Sequence, residues 1–475
     1  MTDAAPSSAA LRAPGAGKTI KRRAAETVLW TLSGQGFSSI FRLASNLVLA
    51  RLLMPEAFGI IAITFSIKTF LDLLTDVGLN QNAIQSQHGD DPVFLDTLWT
   101  LQIARGLVVA TALCLVASVF VFTSVTTLFA EGSAYRASQL PGLIALLALV
   151  SVMRGFAPTK AISAQRHMQF GRLTGIALAS QVLSSCATIV AALAGAFVWS
   201  FAIGTIIGSF FGVMLKYLLI EGRLNRFAFN KTHAIQQFHF GKWIFVSTIC
   251  GYLHNHSDKI ILANALSASA LGVYYIGLML AKLPTQLGKK MMARTISPVL
   301  RERPPWKSTA NFLSLRKLRF VFSFGLTSGL VVLSFLAPQL VSVLYDDRYQ
   351  MASQIVIMAC MANMPNVVTM SHDRIPIAAG DTRTFFNWVF VKTVVQLLCF
   401  IIALHYAGLF GAIISPGLSA ILVYPMAAFI ANKYKGWDIL HDASVAVFAF
   451  ICIALIAFYH AEAITDFYQL SRSDL

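Results

Sequence analysis

Apolar residues fill this chain in long stretches. Polar positions interrupt them in two ways: in clusters between stretches, and singly at steps of three or four within them. A run of about 18 or more apolar residues with few charges is long enough to cross a bilayer as a helix, and such runs recur from Thr27 to Tyr459. The pattern predicts spans at about 25–50, 58–80, 94–124, 141–160, 172–195, 198–220, 241–264, 269–290, 318–344, 352–378, 385–405, 409–431 and 442–460. The runs are continuous rather than alternating. That selects helices over a closed barrel, the other structure that satisfies backbone groups in lipid. The expected fold class is an all-α polytopic membrane protein.

One break is unusually short and has an echo. Leu47 to Ile63 reads LVLARLLMPEAFGIIAI, and a weaker version, LANALSASALGVYYI, runs from Leu262 to Ile276. Ala50, Leu53, Ala57 and Gly59 return as Ala263, Leu266, Ala270 and Gly272, all at an offset of 213. The polar residues upstream keep that register: Gln35, Ser38, Arg42, Ser45 and Asn46 map to Thr248, Gly251, Asn255, Asp258 and Lys259. Steps of three and four place each set on one helix face. Two helices of like sense, each with one polar stripe, indicate a parallel internal repeat whose halves pack about a central site. Pro55, Gly59 and Gly272 are read as structural turn residues that end one helix and open the next. The chain then divides into a basic tail (1–24), an N-terminal six-helix bundle (25–220), a linker (221–240), a C-terminal six-helix bundle (241–431) and an additional C-terminal helix with its tail (432–475).

Composition agrees with a membrane class: of 475 residues 56% are hydrophobic and 12% charged, against about 45–50% and about 25% in soluble domains. The net charge of +16 does not point to nucleic acid, because the basic residues collect between apolar runs. Alternate connections carry them, among them Lys160, Arg166 and Arg172, then Arg223, Arg226 and Lys231, then Arg301 to Arg319, then Arg383, then Lys433 and Lys435. The positive-inside rule makes those connections, and the N-terminus, cytoplasmic, in a multi-pass protein of the cytoplasmic (inner) membrane. Met1 to Arg23 is polar and basic without the apolar core of a signal peptide, and is read as a cytoplasmic tail. The six cysteines stand singly in apolar runs and read as small buried residues, with no metal-site spacing.

Ionisable residues inside the spans carry the chemistry. A charge near the bilayer centre costs about 2.5–3.5 kcal/mol on insertion scales, so such groups face a watery cavity or a partner. Arg42, Lys68, Arg105, Arg154, Lys259 and Lys282 are the candidate cavity cations, and Asp72, Asp76 and Asp258 the candidate coupling acids, for H+ or Na+. Lys68, Asp72 and Asp76 follow at four-residue steps on one face, which intrahelical pairing also explains, and Arg105, Arg154 and Lys282 are placed where they would also snorkel to headgroups. The surplus of cations favours an anionic cargo. Arginine's planar fork suits phosphate in particular.

The stretch ARLLMPEAFGIIAI, followed by DVGLNQNAIQ from Asp76 to Gln85, resembles the signature of polysaccharide exporters related to the colanic acid and succinoglycan translocases, in which ARLL-P-E-D-F-G leads to D-x-G-L and A-x-I-Q. Asp258-Lys-Ile-Ile-Leu-Ala and Ala270-Leu-Gly-Val-Tyr-Tyr are similar to the same family's DKxxLG and ALGxYxxA elements. Ala57 and Asn264 depart from the pattern at positions away from the cavity. The resemblance implies a MATE/MOP-like fold, two bundles around a V-shaped lumen, and transport of polyprenyl-diphosphate-linked oligosaccharide among membrane lipids. It implies no cofactor and no catalytic residue, and it brings a polymerase and a chain-length regulator as partners. Two rival readings stay open. A cation-coupled small-molecule exporter of the same superfamily should line its lumen with acids. A membrane-embedded glycan polymerase or ligase should show a large outer loop or a convergent acid–base set.

Overall fold

The computed structural model describes residues 20–76, 78–86, 89–167, 169–302 and 304–473. The side chains at 20–32, 35, 81–82, 85, 124, 232–247, 293–294, 297–298, 301, 382 and 472–473 lie outside that description, and so does the expected basic tail up to residue 19. In chain order the helices are α1 (Ile20–Leu52), α2 (Pro55–Leu74), α3 (Leu79–Gln85), α4 (Pro92–Phe122), α5 (Leu140–Gly155), α6 (Lys160–Arg166), α7 (Phe170–Leu193) and α8 (Trp199–Leu219). They continue as α9 (Lys231–Ala265), α10 (Ala268–Glu302), α11 (Thr309–Leu344), α12 (Met351–Thr369), α13 (Ile375–Ala378), α14 (Thr382–Lys433), α15 (Ile439–Tyr459) and α16 (Ala461–Ser473). Among the described residues there is no strand. Eight of these helices are individually long and apolar enough to cross a membrane, and the α5–α6 pair, bent by 65°, makes a ninth.

Each expected span has a helical counterpart. The expected break between 405 and 409 is a kink inside α14, where Ala407 and Gly408 leave helical geometry. Gly408 sits at φ 57° and ψ −146°, a region open essentially to glycine. The helices extend further than the apolar runs do. Helix α9 begins at Lys231, inside the expected linker, and α10 and α11 run into the expected connection 291–318, leaving only 303–308 between them. The linker's first ten residues are held on α4: Asp96 takes Arg223 Nη2 at 2.9 Å and the Arg226 amide at 3.0 Å, while Thr100 and Thr97 accept the Ala228 and Asn230 amides. The short α3 and the C-terminal α16 were not foreseen. Phe467 of α16 is buried and Tyr468 stacks edge-on against Phe410, so α16 packs back on the second half.

The repeat seen in the sequence is a contact in the structure. A Cβ on Gly59 would stand 1.9 Å from the Ala268 carbonyl oxygen, and one on Gly272 would stand 1.8 Å from that of Pro55. Shifting Pro55 and Gly59 by 213 gives Ala268 and Gly272, so the two contacts exchange under that shift, as they would about a pseudo-two-fold axis. Small residues let the backbones of α2 and α10 touch here. Around this point the same end of the molecule is sealed, with Tyr349 donating to the Leu53 carbonyl (3.2 Å), Arg51 to Val343 (2.8 Å), Ser133 to Ala263 (2.8 Å) and Tyr135 to Ile260 (2.9 Å). The buried apolar core runs through both halves here, from Leu49, Leu53 and Phe58 to Leu262, Leu266 and Leu271.

Candidate functional site

Toward the end opposite this seal, the first half holds an open cavity of about 970 Å³ lined by residues of α1 to α8. Two close helix approaches shape it. Helices α4 and α5 touch at Gly106 and Gly155, where a Cβ on Gly106 would meet the Ser151 carbonyl at 2.8 Å. Arg105 and Arg154, each one residue before those glycines, then both reach the cavity wall. Helices α7 and α8 approach through Gly204, Gly208 and Gly212, a small-residue stripe at four-residue steps set against Ser180, Ser184 and Thr188. One turn further along α8, Lys216 joins the wall.

Arg105 is held in place. Its guanidinium donates to the Asp72 carbonyl at 2.7 Å and to Thr75 Oγ1 at 3.2 Å, and lies 3.8 Å from Asp76 Oδ1. Asp76 also accepts the Gly78 amide at 3.1 Å. Arg154 and Lys216 differ: they lie within electrostatic reach of each other, and among the described residues neither has an ion pair. Both cations face the same cavity, whose lining also includes the carboxylates Asp72 and Asp76. The rest of the wall carries hydroxyls and amides such as Ser38, Ser151, Ser184 and Gln102, and apolar residues such as Val109, Phe170, Leu173 and Val213. Ser38 and Gln181 hydrogen-bond at 2.5 Å and tie α1 to α7.

The remaining expected site residues fall into two places. Lys68 is buried to 3% exposure behind the wall, with its ammonium 2.5 Å from Asp72 Oδ2; it neutralises that carboxylate and is not among the cavity-lining residues. In the second half, Asp258 lies 3.7 Å from Lys282 Nζ and accepts the Tyr274 hydroxyl at 3.3 Å. Lys259 sits 5.6 Å over the ring of Tyr275. Arg42 of α1, whose side chain is exposed, acts electrostatically on that same tyrosine. One stripe cation from each repeat thus lies near Tyr275: Lys259 over its ring, and Arg42 within electrostatic reach of it. Asn46, donating to Met279 Sδ at 3.2 Å, closes α1 onto α10 beside them. Gln35, also on that stripe, has its side chain outside the described residues.

Sequence reasoning left out Lys216 and Lys289. A lone lysine in the apolar run of α8 was the available signal for the first. Lys289, Lys392 and His254 surround Asp373 in the second half, where Trp388 Nε1 donates to Asp373 Oδ1 at 2.6 Å and Lys392 lies 3.5 Å from Oδ2. As in the first half, lysines and arginines outnumber carboxylates here.

A model of a family described as "Polysaccharide biosynthesis protein" matches residues 48–354. The chain belongs to that family. Among curated relatives of this family member, the lipopolysaccharide biosynthesis protein WzxC of Escherichia coli K12 is 22% identical over 85% of the chain and 81% of its own length. The succinoglycan biosynthesis transport protein ExoT of Rhizobium meliloti is 23% identical over 73% and 67%. Among solved structures, the lipid II flippase MurJ in an inward closed conformation superposes with a TM-score of 0.64 at 14% identity, covering 91% of this chain and 93% of that one. An inward-facing multidrug MATE transporter of the MOP superfamily gives 0.63 at 14% identity over 84% and 95%. The fold is thus the MATE/MOP-like helical fold of a multi-pass membrane protein.

Proposed function

We propose that this family member is a flippase that moves polyprenyl-diphosphate-linked oligosaccharide repeat units from the inner to the outer leaflet of the cytoplasmic membrane by alternating access. Arg154 and Lys216, which have no ion pair among the described residues and line one cavity with several hydroxyls and amides, carry the reading: the cations suit a diphosphate, and the hydroxyls and amides suit sugar hydroxyls. The family match, the names of WzxC and ExoT, and the fold shared with a lipid II flippase support the same cargo class. The charge asymmetry of the connections puts the sealed end outside and the cavity toward the cytoplasm. Cargo enters there, its headgroup meets Arg154 and Lys216, and then Arg42 and Lys259 take it as the halves rock about the Gly59–Gly272 contact. The polyprenyl tail stays in lipid and no covalent bond changes. An H+ or Na+ gradient drives the cycle, and a polymerase and a chain-length regulator of the same pathway take the product. The drug-exporter reading is disfavoured by the cation surplus in both halves.

Export decides the matter. In cells lacking the native gene, Arg154→Ala and Lys216→Ala should each insert normally yet leave surface polymer low and lipid-linked repeat units accumulated on the cytoplasmic side. Full surface polymer from the double variant would overturn the site.

A further inference from the structure

The connections at the sealed end carry a second trace of the repeat. Between α4 and α5, Ala134–Arg136 is a 3-10 turn opened by Ser133, whose hydroxyl accepts the Tyr135 amide at 3.2 Å. Between α11 and α12, Asp347–Tyr349 is another, opened by Asp346, whose carboxylate accepts the Arg348 amide at 3.2 Å. The offset of 213 carries Ser133 onto Asp346 and the first turn onto the second. Tyr-Arg in the first becomes Arg-Tyr in the second, so each turn keeps a tyrosine. Both tyrosines are buried, Tyr135 stacked on Phe129 with ring centres 4.6 Å apart and Tyr349 edge-on to Phe58 at 6.2 Å.

Each turn reaches into the other half. Leu53 and Leu266 are equivalent under the same offset; they follow the ends of α1 and α9, and both are buried. The Leu53 carbonyl takes the Tyr349 hydroxyl at 3.2 Å, and the Leu266 carbonyl takes the Ala134 amide at 3.0 Å. The Ser133 and Tyr135 hydroxyls donate to two more carbonyls near the end of α9, those of Ala263 at 2.8 Å and Ile260 at 2.9 Å. Asn264, which departs from the family pattern, accepts the Ala130 amide at 3.3 Å. Carbonyls at the end of a helix have no partner within it, and a buried one left alone costs about as much as a lost hydrogen bond.

We propose that the two turns form a reciprocal latch: each half supplies the partner for the carbonyls that end the first helix of the other, so the sealed end opens only when both turns let go. Neither half satisfies its own helix end. Parting the halves therefore releases both sets of carbonyls together, and they must find water instead. Ser133, Tyr135 and Tyr349 are then gate residues, and none of them lines the cavity that faces the opposite end. Only the use of the opening, release of cargo, rests on the proposed function.

The latch can be tested without cargo. In the purified full-length protein with Cys114, Cys186 and Cys399 replaced by alanine, Leu266→Cys puts a thiol at the seal, where the leucine is 4% exposed; its rate of reaction with a maleimide reads how often that end opens. Tyr135→Phe and Tyr349→Phe, which each remove one hydroxyl, should both raise the rate about three- to tenfold, the factor that one hydrogen bond is worth. Ser133→Ala should do likewise. Tyr345→Phe should leave the rate unchanged: Tyr345 is buried beside Tyr349, with ring centres 5.5 Å apart, but its hydroxyl has no hydrogen-bond partner among the described residues. The buried Cys360 should stay unreactive throughout, which marks the opening as local. No gain in Tyr135→Phe or in Tyr349→Phe, an equal gain in Tyr345→Phe, or reaction at Cys360 in step with that at the seal would overturn the latch. A parent that shows these gains but exports no polymer would support the latch and count only against the transport reading.

Discussion

At the residue scale, the same residue types serve different ends according to burial. Lys68 and Asp72 are neighbours on one turn of α2, but Lys68 is 3% exposed while the Asp72 side chain is 32% exposed. Removing the two partners therefore has unequal effects. Asp72→Leu leaves an ammonium buried without its counter-charge and should lower stability by about 3–5 kcal/mol. Lys68→Met leaves a carboxylate that water reaches and should cost under about 1 kcal/mol. Thermal melting of the two purified variants checks this, and equal losses would mean that Lys68 is not sealed from water. The spacing of Lys68, Asp72 and Asp76 did show one charged face. It did not show that Lys68 lies behind the wall, because a helical period gives direction around one axis and says nothing of what lies opposite. Arg154 was readable and its pairing with Lys216 was not, since α4 meets α5 and α7 meets α8 at glycines that carry no charge signal.

At the element scale, α14 shows how one long helix is broken and then tied. Gly408 breaks it, and Asp381 fastens its two ends. The Asp381 carboxylate caps the helix by accepting the Thr384 amide at 2.9 Å, and it also receives the Tyr434 hydroxyl at 2.6 Å and Lys433 Nζ at 3.0 Å from the far end. The Tyr434 hydroxyl foremost, then the Thr384 amide and hydroxyl and Lys433, hold this carboxyl well below the usual carboxylate range. A depressed folded value means that the stabilisation is complete above the unfolded value of about 3.9 and fades as pH falls below it. The melting temperature of the parent should therefore drop on acidification below about pH 4, while Asp381→Asn should start lower at neutral pH and change less. Parallel curves would show that the tie is not electrostatic. The sequence placed the break in α14 correctly, because an apolar run of that length contains two membrane thicknesses. It missed α16, whose apolar residues are too few to make a span and whose burial depends on α12, α14 and α15 already being in place.

At the scale of the whole molecule, the reciprocal contact of Gly59 and Gly272 makes the sealed end a joint between like halves. If transport needs that end to part, a bridge across it should stop export. With the exposed Cys114 and Cys186 first replaced, Arg51→Cys and Val343→Cys joined by a short bifunctional thiol reagent should block polymer export, and a cleavable form of the reagent should let reduction restore it. Export that continues through the bridge would show that the halves do not separate there. The sequence by itself determined the membrane class, the helical spans, the internal offset of 213 and the excess of intramembrane cations, since each of these is a local property of composition or period along the chain. The tertiary structure alone decided that the cavity lies within the first half, that Arg42 and Lys259 both lie near Tyr275, and that two histidines flank the buried Asp442. Those facts depend on which helix faces meet, and residues that meet across helices far apart in the chain leave no periodic trace in it.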